Sequence, residues 1–480
     1  MHKWTVETVA RIVQGKVIGN SYLEVQGCVI DSRQAKGGEM FFALPGEQVD
    51  GHNYIEAAWE KGAVLAIAEE ARFKGLEAEF PVPEDKALLL VESVFSAFQE
   101  LAKARRLELD AKVVGVTGSN GKTTTKDMIA AVLSRRFRVY RNKENHNNEL
   151  GLPLTVLNAP LDTEILVLEM GMRGLGEIRA LCEIAKPDIG VITNIGTTHL
   201  ELLLTQERIA QAKWELVEAL PEDGIALINA EDSWSVRKAR NDLHPIRFYG
   251  TGGEFAPPQI TGAGLRPWGA LGTTFDVNFQ GEETTANIPL PGQHNVLDAL
   301  AALAVGTVFG VSLADGCVGL SELELSKMRL EIRKGVSGAT LISDVYNANP
   351  VSMQASLQVL KERASGHQTL AILGEMYELG TVAESGHREV GRTLAELGVS
   401  ELITVGKLAE EIAQGARSAG YSEDHIKVTA TRAEAVTKAL DILALSEPEV
   451  WVLIKGSRGM KMEEITAKLE RSVKDGMTHV

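Results

Sequence analysis

Short unbroken apolar runs alternate along this chain with stretches whose apolar residues recur every three or four positions. The first pattern marks strands buried on both faces, and the second marks helices packed on them. Val113–Thr117 is one such run, and the stretch after it repeats Met128, Ile129, Val132 and Leu133 on one helical face. That helix closes on Arg135 and Arg136, charges that suit a helix C-terminus. Ile165–Leu168 and Ile189–Thr193 predict two further parallel strands. Residues 251–290 are rich in Gly and Thr and alternate, which predicts an antiparallel insertion. Beyond residue 325, apolar runs at Thr340–Val345, Leu370–Leu373, Leu402–Val405 and Val450–Ile454 are separated by helical patterns, the signature of a second doubly wound unit. Near the N-terminus, Val6, Val9, Ala10 and Val13 form a helical stripe interrupted by charge, not the apolar core of a signal peptide. Val91–Leu107 reads as a helix. Ala299–Val311 is too short to span a bilayer and contains Gly306 and Gly310, so it reads as a buried helix running into a turn.

These patterns divide the 480 residues into three units: 1–106, of mixed short strands and helices; 107–324, of strand–turn–helix repeats; and 325–480. The expected fold class is α/β with a mixed N-terminal domain, a central domain of mainly parallel sheet around a phosphate loop, and a Rossmann-like C-terminal domain. Composition adds exclusions. Lys and Arg number 49 against 65 Asp and Glu, a net charge of −16, which argues against a nucleic-acid binder. Cys28, Cys182 and Cys317 stand far apart with no paired spacing, which points to a reducing cytoplasm. No membrane insertion is expected.

The candidate chemistry begins at GVTGSNGKTTTKD, residues 115–127. A strand, a Gly-rich turn and a helix follow one another, the context in which backbone N–H groups and a helix N-terminus hold phosphates. The spelling departs from the usual Gly, four residues, Gly-Lys-Ser/Thr, because Val116 stands five before Gly121. Lys122 would reach the β- and γ-phosphates and Thr123 would bind Mg²⁺. Glu169 ends the run ILVLE at the carboxyl edge of the sheet, either as a metal-facing acid beside Thr123 or as a solvated strand end. His199 reaches the same edge through the loop after VITNI, where a lone His is more often a surface or cap residue than a functional one. Lys213 lies four after Ile209 and three before Leu216, so it points with the apolar stripe of its helix. Either its long stem snorkels to water, or burial strips the amine of its charge. A neutral amine can add CO₂ to give a carbamate, an anion able to ligate Mg²⁺.

Taken in order, TGSNGKTT, NHNNELGLPL, LEMGM, TNIGTTHLE and AKWEL resemble the Mur ligases, the ATP-dependent amide-forming enzymes of peptidoglycan precursor synthesis. Asn before Gly-Lys-Thr is that family's spelling of the loop. The resemblance implies ATP held by Gly118, Ser119, Asn120, Gly121, Lys122, Thr123 and Thr124, with Asn295 at the adenine, Asp344 at the ribose and Arg329 reaching back to the phosphates. It implies two Mg²⁺ sites, one on Thr123 and Glu169 and one on His199 and a carbamylated Lys213. Lys122, His199, Lys213 and Arg329 form the implied catalytic set. The family usually has Asn where this chain has Asp298, which leaves that position without an assigned role.

The run DSRQAKGGEMFFALPGEQVDGHNYI resembles the uridine-diphosphate-sugar domain of the last two ligases of the pathway, with Ser32, Arg33 and Asn148 as implied contacts. YNANP at 346–350, LGEMYELG at 373–380 and KGSRGMKME at 455–463 resemble the member that adds D-alanyl-D-alanine. The acidic-Tyr-Ala-His-Thr-Pro and Asp-Asn-Pro-Arg segments of the preceding ligase are missing. Asn347, Asn349, Lys455, Ser457 and Arg458 are the implied dipeptide contacts, with Lys455 and Arg458 suited to a carboxylate. The expected partners are UDP-MurNAc-tripeptide and D-alanyl-D-alanine, and the expected state is a cytoplasmic bacterial monomer. An adjacent Mur ligase or a folate polyglutamylating enzyme shares this chemistry. A nucleotide-gated binding module or simple NTPase is the alternative from another class.

Overall fold

The computed structural model describes residues 4–470 except 47–48, 74–80, 144–145, 197–199, 270–271, 325–327 and 447–448. Three main sheets follow one another along the chain. The first has five strands in the order Lys16–Gly19, Ala87–Val91, Leu65–Glu69, Met40–Phe42 and Cys28–Val29. The helix expected from Val91 begins at Val94, because Val91 still pairs with Glu69 in the sheet and Ser93 caps the helix by accepting from the Ser96 amide.

The second sheet has nine strands, and Lys112–Thr117 lies between Ile165–Glu169 and Ile189–Ile192, parallel to both. Chain order reverses there, so three carboxyl-edge loops converge on one crevice. The alternating segment expected as an insertion is instead the far end of this same sheet. Tyr249 and Gly250 pair in parallel with Ile260 and Thr261, and two antiparallel strands, Gly272–Phe279 and Glu282–Ile288, complete it. The physical reason is burial: Phe275, Val277, Ala286 and Ile288 share a core with the helix Gln293–Val308. Detached, they would expose that apolar face.

The third sheet has six strands, antiparallel only at Glu331–Lys334 and parallel through Thr340–Asp344, Trp451–Lys455, Thr369–Gly374, Glu401–Val405 and Ile426–Thr429. The first and second units share one core, in which Phe98 and Leu101 are buried together with Leu152 and Val156. The Asn158 amide fastens the seam by accepting from Cys28 N (3.0 Å) and donating to Cys28 O (3.0 Å). No helix among the described residues is long and apolar enough to cross a membrane.

Candidate active site

The loop after Lys112–Thr117 is held from one side by the loop after the neighbouring strand. Asn194 O accepts from the Ser119 amide (2.9 Å), and Asn194 Oδ1 accepts from the Asn120 amide (3.0 Å). Asn194 Nδ2 and the Thr193 hydroxyl both donate to Asn120 O. Gly118 is required by this closeness: a Cβ there would sit 1.8 Å from Thr193 Oγ1, at φ +154°. The Ser119 and Asn120 amides are therefore spent on structure. The next four, Gly121 to Thr124, open the helix Lys122–Leu133 and have no acceptor among the described residues. Four free N–H groups at the positive end of a helix make an anion cradle.

Lys122 and Arg329 bring positive charge to this cradle. Lys122 Nζ donates to Gly118 O (2.8 Å) and Ser119 O (3.3 Å). Burial lowers its pKa; Glu169 opposes that shift and Arg329 adds to it. Arg329 comes from the third unit. Its Nη2 donates to Thr123 Oγ1 (3.0 Å), and its guanidinium lies 4.3 Å from the centre of the Tyr346 ring. Its Nε is buried without a hydrogen-bond partner among the described residues. Buried donors are normally satisfied, so this one points to a missing acceptor such as a phosphate oxygen.

Thr123 Oγ1 donates to Glu169 Oε2 at 2.8 Å. Glu169 is 2% exposed, and its Oε1 accepts from Asn147 (2.7 Å). The Asn142 side chain grips the Glu169 backbone, accepting from its N–H (2.9 Å) and donating to its carbonyl (3.0 Å). The Asn142 carbonyl in turn accepts from the fully buried Lys126 (2.9 Å). Neither Lys126 nor Asn142 was visible as a site residue in sequence, since both act only through Glu169. Asn147 and Asn194 stand inside motifs already noticed there.

Lys213 is 2% exposed, lines the same cleft, and has no hydrogen bond or ion pair among the described residues. Burial, reinforced by the charge on Lys122, pushes its pKa well below the ordinary lysine value. The snorkelling alternative is thereby excluded. Two residues on, Glu215 accepts from the Gly176 (2.7 Å) and Arg179 (3.1 Å) amides, which caps the helix Glu177–Ala185. His199 lies outside the described residues. Among those described, no three His, Cys, Asp or Glu side chains form a metal cage.

Asn295 is buried in the cleft wall and donates to Pro291 O (2.6 Å). Burial alone would raise Asp344, but the Lys455 ammonium at 2.5 Å and the Ser356 hydroxyl at 2.7 Å hold it below the usual carboxylate range. Asn349 Nδ2 donates to Asn120 Oδ1 (2.6 Å), a second direct tie from the third unit to the phosphate loop. Asn347 lines the cleft, with its Oδ1 on the Ala348 amide.

The expected Lys455–Arg458 carboxylate clamp is not assembled. Lys455 is committed to Asp344, while Arg458 pairs with Glu463 (2.6 Å) and stands outside the cleft wall. Ser457 is buried behind that wall and accepts from the Tyr377 amide (2.9 Å). Asn148 lines the cleft, and its Oδ1 accepts from the Gly151 amide (3.0 Å) where the helix Gly151–Leu157 begins. Ser32 is buried, and Arg33 is exposed and ion-paired to Asp31 (2.7 Å); neither lines the cleft. The cleft itself measures about 890 Å³ and takes its walls from all three units.

Comparison with known proteins matches this architecture segment by segment. Residues 24–107 match the domain described as Mur ligase family, catalytic domain; residues 116–306 match Mur ligase middle domain; residues 328–458 match Mur ligase, glutamate ligase domain. A Bacillus subtilis protein named UDP-N-acetylmuramoyl-tripeptide--D-alanyl-D-alanine ligase is 39% identical over 98% of this chain and 99% of its own. The Escherichia coli protein of the same name is 30% identical over 98% of each. Among solved structures, a crystal structure of MurF from Acinetobacter baumannii superposes with a TM-score of 0.84 at 30% identity, covering 98% of this chain and 99% of that one. The Thermotoga maritima MurF ligase in complex with ADP superposes at 0.76 and 27% identity, covering 94% and 98%.

Proposed function

This chain belongs to the Mur ligase family, and on that premise we propose that it joins D-alanyl-D-alanine to UDP-MurNAc-tripeptide at the expense of ATP. Its place is the cytoplasmic stage of cell-wall precursor synthesis. The observation that carries the reading is the meeting of two units at one loop. Arg329 and Asn349, from the third unit, bond directly to Thr123 and Asn120 of the phosphate loop. A site assembled from separate units suits a reaction that must align separate ligands and exclude water. The division 1–106, 107–324 and 325–480 assigns the UDP-sugar to the first, ATP to the second and the dipeptide to the third.

In the first step a substrate carboxylate takes the γ-phosphoryl group of ATP, giving an acyl phosphate and ADP. Its difficulty is the approach of an anion to a polyanion. The amides of Gly121 to Thr124, Lys122 and Arg329 offset that charge. Gly118, Ser119 and Asn120 shape the loop, Asn295 meets the adenine and Asp344 the ribose. Thr123 and Glu169 are hard oxygen donors 2.8 Å apart and suit Mg²⁺, which would complete its shell with phosphate and water. A carbamylated Lys213 would supply the anionic oxygens of a second Mg²⁺ site and His199 a ring nitrogen to hold or support it, and the buried, charge-depleted amine of Lys213 is what CO₂ requires. When bound, Mg²⁺ supplies Lewis-acid neutralisation of the phosphates. In the second step the dipeptide amine attacks the activated carbonyl, and phosphate leaves. Asn347, Asn349 and Lys455 bound the dipeptide end, with Ser457 and Arg458 behind them. Ser32, Arg33 and Asn148 serve the UDP-sugar; Arg33 would exchange Asp31 for a phosphate.

The test is ADP release with UDP-MurNAc-tripeptide and Mg·ATP, with and without D-alanyl-D-alanine. Strong dependence on the dipeptide, with the pentapeptide as product, is expected. Release indifferent to the dipeptide would indicate a simple NTPase. Preference for a single amino acid or for glutamate would indicate an adjacent Mur ligase or a folate-type ligase.

A further inference from the structure

Glu149 and Arg173 carry charge into the cleft that the phosphate chemistry does not use. Both stand on the wall that runs outward from Glu169. Asn147 donates to Glu169 Oε1 (2.7 Å), and its carbonyl accepts from the Gly171 amide (2.8 Å). Gly171 is pressed so close that a Cβ there would sit 3.0 Å from the Asn147 side chain. Glu149 and Arg173 follow two positions beyond these partners, so they flank one short stretch of wall. Both are exposed and line the cleft, and neither side chain makes a hydrogen bond or ion pair among the described residues. The polar groups around them are committed elsewhere. Asn148 Oδ1 accepts from the Gly151 amide, Glu177 accepts from the Arg173 amide (2.7 Å), and Arg179 pairs with Glu218 (3.1 Å). The wall also has an apolar part, because Met172, Leu181 and Ile184 are buried and line the cleft. Gln99, on the helix that begins at Val94, brings the first unit to the same cleft.

The inference rests on the ligase reading above. The carboxylate that takes the phosphoryl group ends the tripeptide, so the third residue stands beside Thr123 and Glu169. Its side chain then runs along this wall. An aliphatic stem suits Met172, Leu181 and Ile184. At the far end an ammonium suits Glu149, and a carboxylate suits Arg173, whose planar fork takes a carboxylate through two hydrogen bonds. A side chain ending in an ammonium alone meets Glu149 but is repelled by Arg173. One carbon that bears both groups answers both charges. Paired demands of this kind discriminate between ligands more than they add affinity.

We propose that Glu149 and Arg173 read the end of the third residue's side chain, and that they select a tripeptide ending in 2,6-diaminopimelate over one ending in lysine. Diaminopimelate is lysine with a carboxylate added to the carbon that bears the distal ammonium. Glu149 holds the ammonium that the two residues share, and Arg173 holds the carboxylate that only diaminopimelate has.

The experiment measures ADP release by the full-length protein with Mg·ATP and saturating D-alanyl-D-alanine, using UDP-MurNAc-tripeptide with either third residue. Wild type should favour the diaminopimelate form by about tenfold in kcat/KM, the scale of one charge-assisted hydrogen bond. Arg173→Ala should abolish that preference through KM. It should raise kcat/KM for the lysine form about twofold, since a like charge is gone. Arg173→Glu should reverse the preference, and Glu149→Gln should raise KM for both forms. KM for ATP, read on the same variants, should not move, which separates side-chain recognition from damage to the phosphate loop. Wild type that prefers lysine or neither form overturns the proposal. So does an Arg173→Ala enzyme that loses both substrates equally, because Arg173 would then read a group common to the two. Each of these results leaves the ligase reading in place. Wild type that shows no dipeptide-dependent release with either tripeptide overturns the ligase reading itself, and this proposal with it.

Discussion

Asp298 offers the sharpest quantitative test, because it is a titratable acid buried beside the phosphate loop. The side chain is 6% exposed, accepts from the Thr125 hydroxyl (2.9 Å), and lies against Gly121 of the phosphate loop. Burial raises its pKa from 3.8 to about 7, against the opposing pull of Thr125 and Arg329. The sign follows from proton counting. Below about pH 4 both folded and unfolded chains hold the proton, and Asp298 adds no pH dependence. Between about pH 4 and about pH 7 only the folded chain holds it, so stability falls as pH rises. Above about pH 7 the carboxylate is ionised in both states and the cost levels off near 4 kcal/mol, the free-energy equivalent of the pKa difference. Asp298→Asn keeps an oxygen for Thr125 and removes the titration. The stability of the variant relative to wild type should therefore climb by about 3 kcal/mol between about pH 5 and about pH 8.5. Urea unfolding of both proteins across that range, without nucleotide, measures it. A difference that stays flat with pH refutes the argument that burial controls this acid.

Two further outcomes follow from the same geometry. Gly118→Ala places a methyl group 1.8 Å from Thr193 Oγ1. It should cost roughly 1–3 kcal/mol of stability and lower dipeptide-dependent ADP release by at least about 10²-fold; near-normal release would show that the loop is not held as described. Lys213→Ala should likewise lose activity and regain part of it with added short carboxylates, read as ADP release. If no carboxylate restores any, the carbamate leaves the mechanism and the family assignment stands.

Much of the fold and part of the site were legible in the chain alone, and the division follows physical lines. Unbroken apolar runs and helical stripes state the local structure, because backbone geometry sets a period of two or 3.6 on whatever must be buried. The strand ending at Thr117, the helix opening at Lys122 and the inward-facing Lys213 could all be read this way. So could the three-unit order, since each unit carries its own pattern. The bearing of residues 251–290 on the central sheet could not, because alternation reveals a strand but not its neighbour.

Pairing across the chain was decided only by the tertiary structure. Lys455 looked like a free cation and is held by Asp344, 111 positions away. Asn142 and Lys126 looked like ordinary polar residues, and together they hold Glu169 in place. Arg329 meets Thr123 from 206 positions away. Whether a buried charge is spent or available depends on which residue lies beside it in space. Sheet order and the closure of the third unit on the phosphate loop set that, and no local period encodes either.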